Sequence, residues 1–504
     1  MLPFLISFFW VSLSFAQEYP CRSANGELDI VIQEVSNEDE FYYCFGYHHG
    51  KDRAWMMDFF RRSAQGRNAE VLGFDHLKSD LMMRLLNIKE LASKLWSNYP
   101  EEEKHKLRSY SRGVNSGFIS GKKAREFQDA GYEPEVWIPE NTLEVLLLQS
   151  FDQTRKTFST DWDQEKMKSR WKEKAADLMD NDNVPWENTI LKPGEYSSAA
   201  STSKIPSVQR NQKLTLWANF PEVFGYESGS NNWVVSGKKS TTGKAMLAND
   251  PHLDLKTPLF WYWIHLKGTK NNVIGASLPG VPLVASGTNG NVAWGLTNAY
   301  INTADAVFLK DLPDGELESI RPVVWIKFWF LKIPFFFKSF ERTKTGFPVL
   351  PLEINRDERM YLRWTGFQLR PADISPMFSL LEVKTVDEMD EKLKKVGLPS
   401  WNFVFADKNG EIGYRVIGNI YKHEGPTPYG MKTLTYKELQ ESETFSPEER
   451  PHVLRPKRNY VYSANNRHWP VDSRFNGNFR HSVYLRAARQ SGYPGMNKHI
   501  LVLH

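Results

Sequence analysis

The chain has 504 residues, of which 41% are hydrophobic and 25% are charged, and its formal net charge is +4. This length and composition indicate one large or two closely packed globular domains. So small a net charge on so long a chain gives no reason to expect a nucleic acid or a membrane surface as a partner.

The N-terminus, MLPFLISFFWVSLSFAQEYP, is an apolar run that ends in small residues before Gln17. It predicts a secretory signal peptide over residues 1–16, cleaved after Ala16, although the usual positive start is lacking. A buried strand or an uncleaved anchor is the alternative. The predicted location is secreted or periplasmic. Export would permit a disulfide between Cys21 and Cys44, the only cysteines, but their spacing is also compatible with two free thiols.

Residues 17–185 are predicted to form a mainly helical region. The segment 27–34 alternates like a strand, and the apolar stretch YYCFGYHHG follows it. Residues 51–70 carry apolar side chains at helical spacing, and helices are predicted to continue through 78–106 and 142–178.

Residues 186–229 are rich in Pro, Ser, Lys and Asn and are predicted to be a linker or removable spacer. From residue 230 to residue 504 the pattern changes to short strands and tight turns, such as NNWVVS, AMLAND and NVAWGLT. Helices, then a linker, then strands indicate an α+β layered fold.

The segment Val323–Phe337 is the most membrane-like internal stretch. Lys327, Lys332 and Pro334 interrupt it, and it is too short to span a bilayer. It is predicted to form two aromatic-rich strands, without stable membrane insertion.

The pair Gly229-Ser230 stands where the strand-rich region begins. A serine hydroxyl is a weak nucleophile and needs a base. No G-x-S-x-G surrounds Ser230 and no Ser-x-x-Lys lies in a suitable helix, so α/β-hydrolase and lactam-opening readings lack their motifs. A serine at a newly cut N-terminus can use its own α-amine as the base, usually through a water. On its own, a Gly-Ser pair is typical of an ordinary turn.

The surrounding stretches are specific. SNNWVVSGKKSTTGKAMLANDPHL resembles the β-chain start of the penicillin acylase family of N-terminal nucleophile hydrolases. LPGVPLVASGTNGNVAWGLTNAYINTADAVFL, VYSANNRHWP and FGYHHGKDRAWMMDFFRRSAQGRNAEVLG are also similar to it. The resemblance implies a four-layer αββα sandwich, cleavage between Gly229 and Ser230, and an α/β heterodimer made from one precursor. It implies hydrolysis of a linear amide without a catalytic cofactor.

The resemblance also implies the catalytic roles. Ser230 matches the nucleophile. His252 matches the residue that holds the α-amine and steers the bridging water; the alternative is a turn histidine at a strand end. Asn298 matches a backbone N–H donor to the oxyanion, and Asn465 matches a side-chain donor, two neutral groups suited to that task. For the orienting arginine, the family register favours Arg489 over Arg486.

A structural calcium site bridging the two chains is a further implication. Asn302 and Asp305 match part of it, with Glu165 and Asn476 as further oxygen ligands. Calcium prefers carboxylates, and Asn302 stands where the family often has aspartate, which puts the metal in doubt.

Two departures accompany the resemblance. The chain stops at His504, where family β-chains run on, so it is predicted to be C-terminally truncated. The acyl-pocket positions Leu253 and Ser286 lack the aromatic lining of penicillin G enzymes. Phe158 is predicted to line the pocket, whereas the apolar side chains of residues 56–60 serve either there or in the core.

The leading hypothesis is therefore a self-processed amidase acting on a small N-acylated amine, such as a penicillin-type side chain or an acyl-homoserine lactone. The rival hypothesis is a non-catalytic secreted binding or structural relative that is not self-processed. The intact set Ser230, His252 and Asn465 favours the enzyme.

Overall fold

The computed structural model describes residues 19–21, 24–25, 31–154, 189–192, 194–195, 229–253, 257–268, 272–337, 339–350, 359–422, 432–468 and 501–503. The helices are α1 (Glu38–Gln65), α2 (Ala69–Leu72), α3 (Leu77–Leu86), α4 (Ile88–Ser97), α5 (Glu101–Ser120), α6 (Arg125–Ala130), α7 (139–154, as far as it is described), α8 (Val386–Leu393) and α9 (Tyr436–Gln440). The strands are β1 (Ala24–Asn25), β2 (Val31–Val35), β3 (Ser230–Val235), β4 (Met246–Pro251), β5 (Tyr262–Gly268), β6 (Asn272–Ser277), β7 (Val284–Thr288), β8 (Val292–Asn298), β9 (Ala304–Leu309), β10 (Leu317–Ile320), β11 (Val323–Phe328), β12 (Leu331–Phe336), β13 (Phe340–Thr343), β14 (Met360–Trp364), β15 (Trp401–Asp407), β16 (Ile412–Val416), β17 (Lys432–Leu434), β18 (His452–Leu454), β19 (Tyr460–Ser463) and β20 (Leu501–Leu503).

Two sheets organise the strands. The large sheet has the order β1-β2-β5-β6-β7-β8-β15-β16-β18, and a four-stranded sheet has the order β19-β3-β4-β20. Within these two sheets, neighbouring strands run antiparallel except β2 and β5, which are parallel. The strands β9, β14 and β17 form a separate three-stranded sheet. The strand-rich texture predicted from residue 230 onward is therefore confirmed.

Side chains alternate between two cores along the strands of the large sheet. In β15, Trp401, Phe403 and Phe405 belong to a core shared with the helices, whereas Val404 and Ala406 belong to a second core. That second core also contains side chains of the four-stranded sheet, so the two sheets pack face to face. The described residues thus form a helical layer and two sheet layers, which confirms a mixed helix-and-sheet fold. The fourth layer of the expected sandwich stays a prediction.

Helix α1 begins earlier than its periodicity predicts, and the apolar stretch before residue 51 is part of it. Asn37 caps the helix by accepting a hydrogen bond from the Glu40 N–H at 2.9 Å. Gly66, at φ 63°, ends it, and the predicted helix over 51–70 is therefore wrong at both ends. The helices predicted over 78–106 are confirmed, and α7 covers the start of the one predicted over 142–178.

Close helix packing explains the glycines in this stretch. A Cβ at Gly46 would overlap the Tyr110 carbonyl, and one at Gly113 would overlap the Tyr43 carbonyl. A Cβ at Gly50 would overlap the backbone of α5 in the same way. Small residues four apart let α1 and α5 approach until their backbones touch.

The structure joins Cys21 and Cys44 in a disulfide, which settles the alternative that the sequence left open. Among the helices of the described residues, none is long and apolar enough to cross a membrane. The predicted signal peptide lies outside the described residues, as does most of the predicted linker. Within that linker, Ile190 and Leu191 are buried, and their N–H groups donate to the carbonyls of Arg467 and His468.

Candidate active site

Ser230 is the first residue of β3, a central strand of the four-stranded sheet. The preceding Gly229 has φ 92°, a conformation that only glycine adopts without strain. The Ser230 hydroxyl donates to the Gly229 carbonyl oxygen at 2.7 Å. The backbone N–H of His252 donates to the same oxygen at 3.0 Å. The carbonyl before Ser230 therefore lies against both a hydroxyl and a fixed backbone donor.

Asn465 holds the other side of Ser230. Its side-chain oxygen accepts the Ser230 backbone N–H at 2.6 Å, and its amide donates to the Asn298 carbonyl oxygen at 2.7 Å. Asn465 is 1% exposed and has φ 58°, so its backbone is in the left-handed region. The structure thus brings Asn298, the last residue of β8, and Asn465 together at Ser230. The predicted role of the Asn298 N–H stays a prediction.

The His252 ring is paired with Asp250, which the sequence analysis did not assign. Nε2 of His252 lies 2.7 Å from Oδ2 of Asp250, and the two side chains are 14% and 17% exposed. Because a carboxylate only accepts, this contact places a proton on Nε2. Nδ1 is buried without a hydrogen-bond partner among the described residues. The order Asp250-Pro251-His252 is visible in the sequence. No local pattern indicates that the Asp250 carboxylate contacts the His252 ring.

Buried asparagines fasten the two sheets together below the site. The amide of Asn249 donates to the carbonyls of Asn231 and Leu296, at 2.9 Å and 2.8 Å. Asn402 donates to the Ser463 hydroxyl of β19 at 3.3 Å and, within the large sheet, to the Asn298 carbonyl oxygen at 3.2 Å. Each bond crosses from one segment of the chain to another, so the site is held by contacts distant in sequence.

A buried histidine completes this layer. Nε2 of His468 lies 2.9 Å from Oδ1 of Asn402, and burial lowers the pKa of His468 to about 3. The ring is therefore neutral at physiological pH and donates its Nε2 proton to Asn402. His468 supports the site through Asn402, a link that sequence reasoning missed.

Other predicted site residues lie outside the described part of the chain. They are Phe158, Glu165, Asn476, Arg486 and Arg489. Two predicted pocket residues are described: Leu253 packs against the main core, and Ser286, 2% exposed in β7, donates to the Trp294 carbonyl at 3.3 Å.

Two cavities lie near these residues. One, of about 20 Å³, is apolar except for Gln149 and is bounded by Ala285 and Trp401. Trp401 is paired with Asn298 across β8 and β15, so this cavity adjoins the catalytic end of the sheet. Its size matches one or two waters rather than an acyl chain, so side chains must move to admit a ligand.

The larger cavity has a volume of about 950 Å³ and lies between α1, the start of α6 and residues 257–260. Its lining includes five large apolar side chains, Trp55, Met56, Phe59, Phe60 and Phe260, and five cationic ones, Lys51, Arg53, Lys122, Lys123 and Arg125. Residue 257 follows His252 by five positions, a reach of at most about 18 Å. Met57 is instead buried in the core.

The described half of the expected calcium site does not fit a calcium ion. The Asp305 carboxylate lies 3.4 Å from both the Arg363 guanidinium and the Lys432 ammonium, and it is 1% exposed. Two cations already meet its charge. The Asn302 amide is buried and neither of its polar atoms has a hydrogen-bond partner among the described residues, but one neutral oxygen is a weak site for calcium.

Comparisons with known proteins show the family of the chain. A sequence model of the penicillin amidase family matches residues 34–492. The chain is similar to an acyl-homoserine lactone acylase of Pseudomonas fluorescens, with 27% identity over 77% of this chain and 48% of that protein. It is similar to a penicillin acylase 2 proenzyme of Pseudomonas sp., with 26% identity over 86% of this chain and 57% of that protein.

The chain is also similar to the structure of a thermostable penicillin G acylase from Alcaligenes faecalis. The match covers 51% of this chain and 47% of that one, with a TM-score of 0.42 and 20% identity. The chain spans about half the length of the curated relatives it matches. The family match extends over most of the chain and includes every described candidate residue. The chain therefore belongs to the penicillin amidase family.

Proposed function

We propose that the chain cuts itself between Gly229 and Ser230 and that Ser230 then hydrolyses linear amides as an N-terminal nucleophile. The observation that carries the proposal is the set of contacts around this one peptide bond. The Gly229 oxygen accepts from the Ser230 hydroxyl and the His252 N–H, and the Ser230 N–H donates to Asn465. Each contact involves an atom that must change charge or bonding in such a cleavage.

These positions support self-cleavage. Ser230 Oγ attacks the Gly229 carbonyl carbon and loses its proton to a base, and negative charge develops on the Gly229 oxygen. The His252 N–H already lies 3.0 Å from that oxygen and stabilises it. The C–N bond then breaks, the Ser230 nitrogen takes up a proton, and an ester remains. Water hydrolyses the ester, which releases the Gly229 carboxylate and regenerates the Ser230 hydroxyl beside a free α-amine.

The same atoms support amide hydrolysis. The α-amine of Ser230 replaces the N–H that Asn465 now holds, so the Asn465 oxygen orients the amine toward Oγ. The amine accepts the hydroxyl proton through a water and passes it to the leaving amine of the substrate. A second water hydrolyses the acyl-enzyme. The Asn465 amide, fixed on the Asn298 carbonyl at 2.7 Å, has one further proton for the oxyanion.

The substrate class follows from the relatives and the cavity beside β8. The relatives are named acylases of acyl-homoserine lactones and penicillins. The small cavity next to Trp401 is lined mainly by leucine, valine, methionine and aromatic side chains. We infer an N-acylated amine with an apolar acyl group. The Cys21–Cys44 disulfide supports an oxidising, extracytoplasmic location.

The test is the intact mass and N-terminal sequence of the purified protein beside Ser230→Ala. The matched control is Ser240→Ala, a partly buried turn serine outside the site. We expect two chains, one beginning Ser230-Asn231-Asn232, in the wild type and the control, and a single chain in Ser230→Ala. A folded wild type that stays uncut would overturn self-processing and favour a non-catalytic binding protein.

A further inference from the structure

The segment Val323–Phe336, here called the aromatic hairpin, stands apart from the main sheets. Its strands β11 and β12 pair only with each other among the described residues. Val324 and Ile326 are buried against Ala69, Leu77 and Leu81 of α2 and α3. The base of the hairpin is therefore fixed to the helical layer.

The tip of the aromatic hairpin is exposed and apolar. The exposed fractions are 59% for Phe328, 81% for Trp329, 86% for Phe330 and 53% for Leu331. Soluble proteins rarely present so many large apolar side chains in succession, and such a patch marks a binding surface. The mixture of tryptophan and phenylalanine is typical of residues at a membrane–water boundary.

The charges around the tip indicate that its partner is an anionic surface. Lys327 and Lys332 face each other across the two strands, directly below the four tip residues. From residue 321 to residue 338 the sequence has Arg321, Lys327, Lys332 and Lys338 and no acidic residue. Two like charges opposite each other destabilise a strand pair in water, whereas anionic headgroups would neutralise them.

We propose that the aromatic hairpin inserts its tip into the interfacial region of an anionic lipid bilayer. Phe328 and Leu331, one residue of each strand, and the turn residues Trp329 and Phe330 project beyond the lysine pair, a length of about 7 Å. Peripheral segments insert their apolar side about 5–10 Å into the headgroup–acyl boundary, which matches this length. The exposed Lys332 then lies at the depth of the phosphates. Binding of this kind is peripheral and reversible.

The neighbourhood of the hairpin agrees with a lipid-facing surface. The Lys327 ammonium donates to the carbonyl of Ala130, the last residue of α6, at 2.6 Å. The first half of α6 borders the cavity of about 950 Å³, whose lining combines aromatic side chains with five cationic ones and two acidic ones, Asp52 and Glu126. The excess of positive charge in this lining agrees with an anionic surface as the partner.

The test is co-sedimentation of the protein with phosphatidylcholine vesicles that contain about a third phosphatidylglycerol. The tip variant is Trp329→Ser with Phe330→Ser. The matched control is Ile119→Ser, because Ile119 is 87% exposed at the end of α5, outside the hairpin. We expect wild type and control to bind, the tip variant to bind at least about tenfold more weakly, and Lys332→Glu to lose the preference for anionic vesicles. Equal thermal melting of all variants verifies folding.

Two outcomes would overturn the proposal. One is a wild type that does not bind vesicles, or a tip variant that binds as well as Ile119→Ser. The other is a wild type that forms dimers by sedimentation velocity, ignores vesicles, and becomes monomeric when the tip is changed. In that case the aromatic hairpin is a protein interface. None of these results depends on cleavage at Ser230.

Discussion

Asp250 offers a sharp test of how the site is positioned, because it contacts His252 and not Ser230. Its Oδ2 lies 2.7 Å from His252 Nε2, and both side chains are mostly buried. The contact fixes the ring with a proton on Nε2. Asp250→Asn keeps an oxygen that can accept the same proton but removes the charge. The His252 backbone N–H that meets the Gly229 carbonyl is unchanged.

The magnitude follows from the type of hydrogen bond. A bond to a charged group contributes about 1.5–3 kcal/mol, and a neutral one about 1 kcal/mol. At 14% and 17% exposure, solvent screens the Asp250–His252 pair only in part. Losing about 1–2 kcal/mol of ring positioning corresponds to a rate about 5–30-fold lower. We expect this loss in kcat and in the rate of self-cleavage, with KM little changed.

The assay follows appearance of the Ser230 chain by mass spectrometry after synthesis and then measures amide hydrolysis with a chromogenic N-acyl amide. Asp314→Asn is the control, since it removes the same charge from an exposed position. Asp250→Ala should be slower than Asp250→Asn, because it removes the acceptor as well. If Asp250→Asn cleaves and turns over at the wild-type rate, the ring is not held by Asp250 and the assignment fails.

Three further predictions concern the same region. Asn465→Ala removes the acceptor for the Ser230 N–H, so cleavage and turnover should fall about 100–1,000-fold, which mass spectrometry and initial rates measure. Burial lowers the pKa of His48 to about 4 and that of His468 to about 3, so the unfolded state binds more protons below pH ~6.5. Each of these histidines should therefore destabilise the fold by roughly 2 kcal/mol from pH ~6.5 to ~4.5, whereas Glu144 and Asp80, whose pKa values burial raises to about 7 and about 6, act in the opposite direction. In denaturant titrations over this range, His48→Gln should lose less stability than the wild type; an equal pH dependence of the two proteins would contradict this. Because two cations already neutralise the Asp305 carboxylate, EDTA should leave the midpoint of thermal unfolding unchanged. A calcium-dependent shift of this midpoint would instead support the expected calcium site.

The sequence predicted those elements whose signal is local. The strands from residue 230 onward alternate or are bounded by turns, and β11 and β12 appeared as two aromatic strands. Helix α1 was misjudged because its first half is apolar on every side and contains Gly46 and Gly50, which disfavour a helix by propensity. The missed signal is the repeated four-residue spacing, in Gly46-Gly50 and again in Gly113-Gly117. Two such pairs indicate helices in backbone contact.

The site was predicted only as far as resemblance reached. Ser230, His252 and Asn465 were carried over by their motifs, and the structure brings them together. Asp250 and Asn402 are missing from the prediction because their roles depend on where distant strands meet. No local pattern shows that the asparagine in β15, Asn402, is buried and donates to the Asn298 carbonyl oxygen.

The geometry also explains why self-cleavage and hydrolysis should be lost together. The His252 N–H and the Asn465 side chain both contact backbone atoms of the 229–230 peptide, which exist before the cut. In the proposed product, the Ser230 nitrogen would stay in β3, held by the same strand pairing to β4. The Gly229 oxygen can leave, and its departure opens the donor position for the oxygen of a substrate carbonyl. A variant that processes normally but cannot hydrolyse amides would therefore point to the substrate cavity rather than to these contacts.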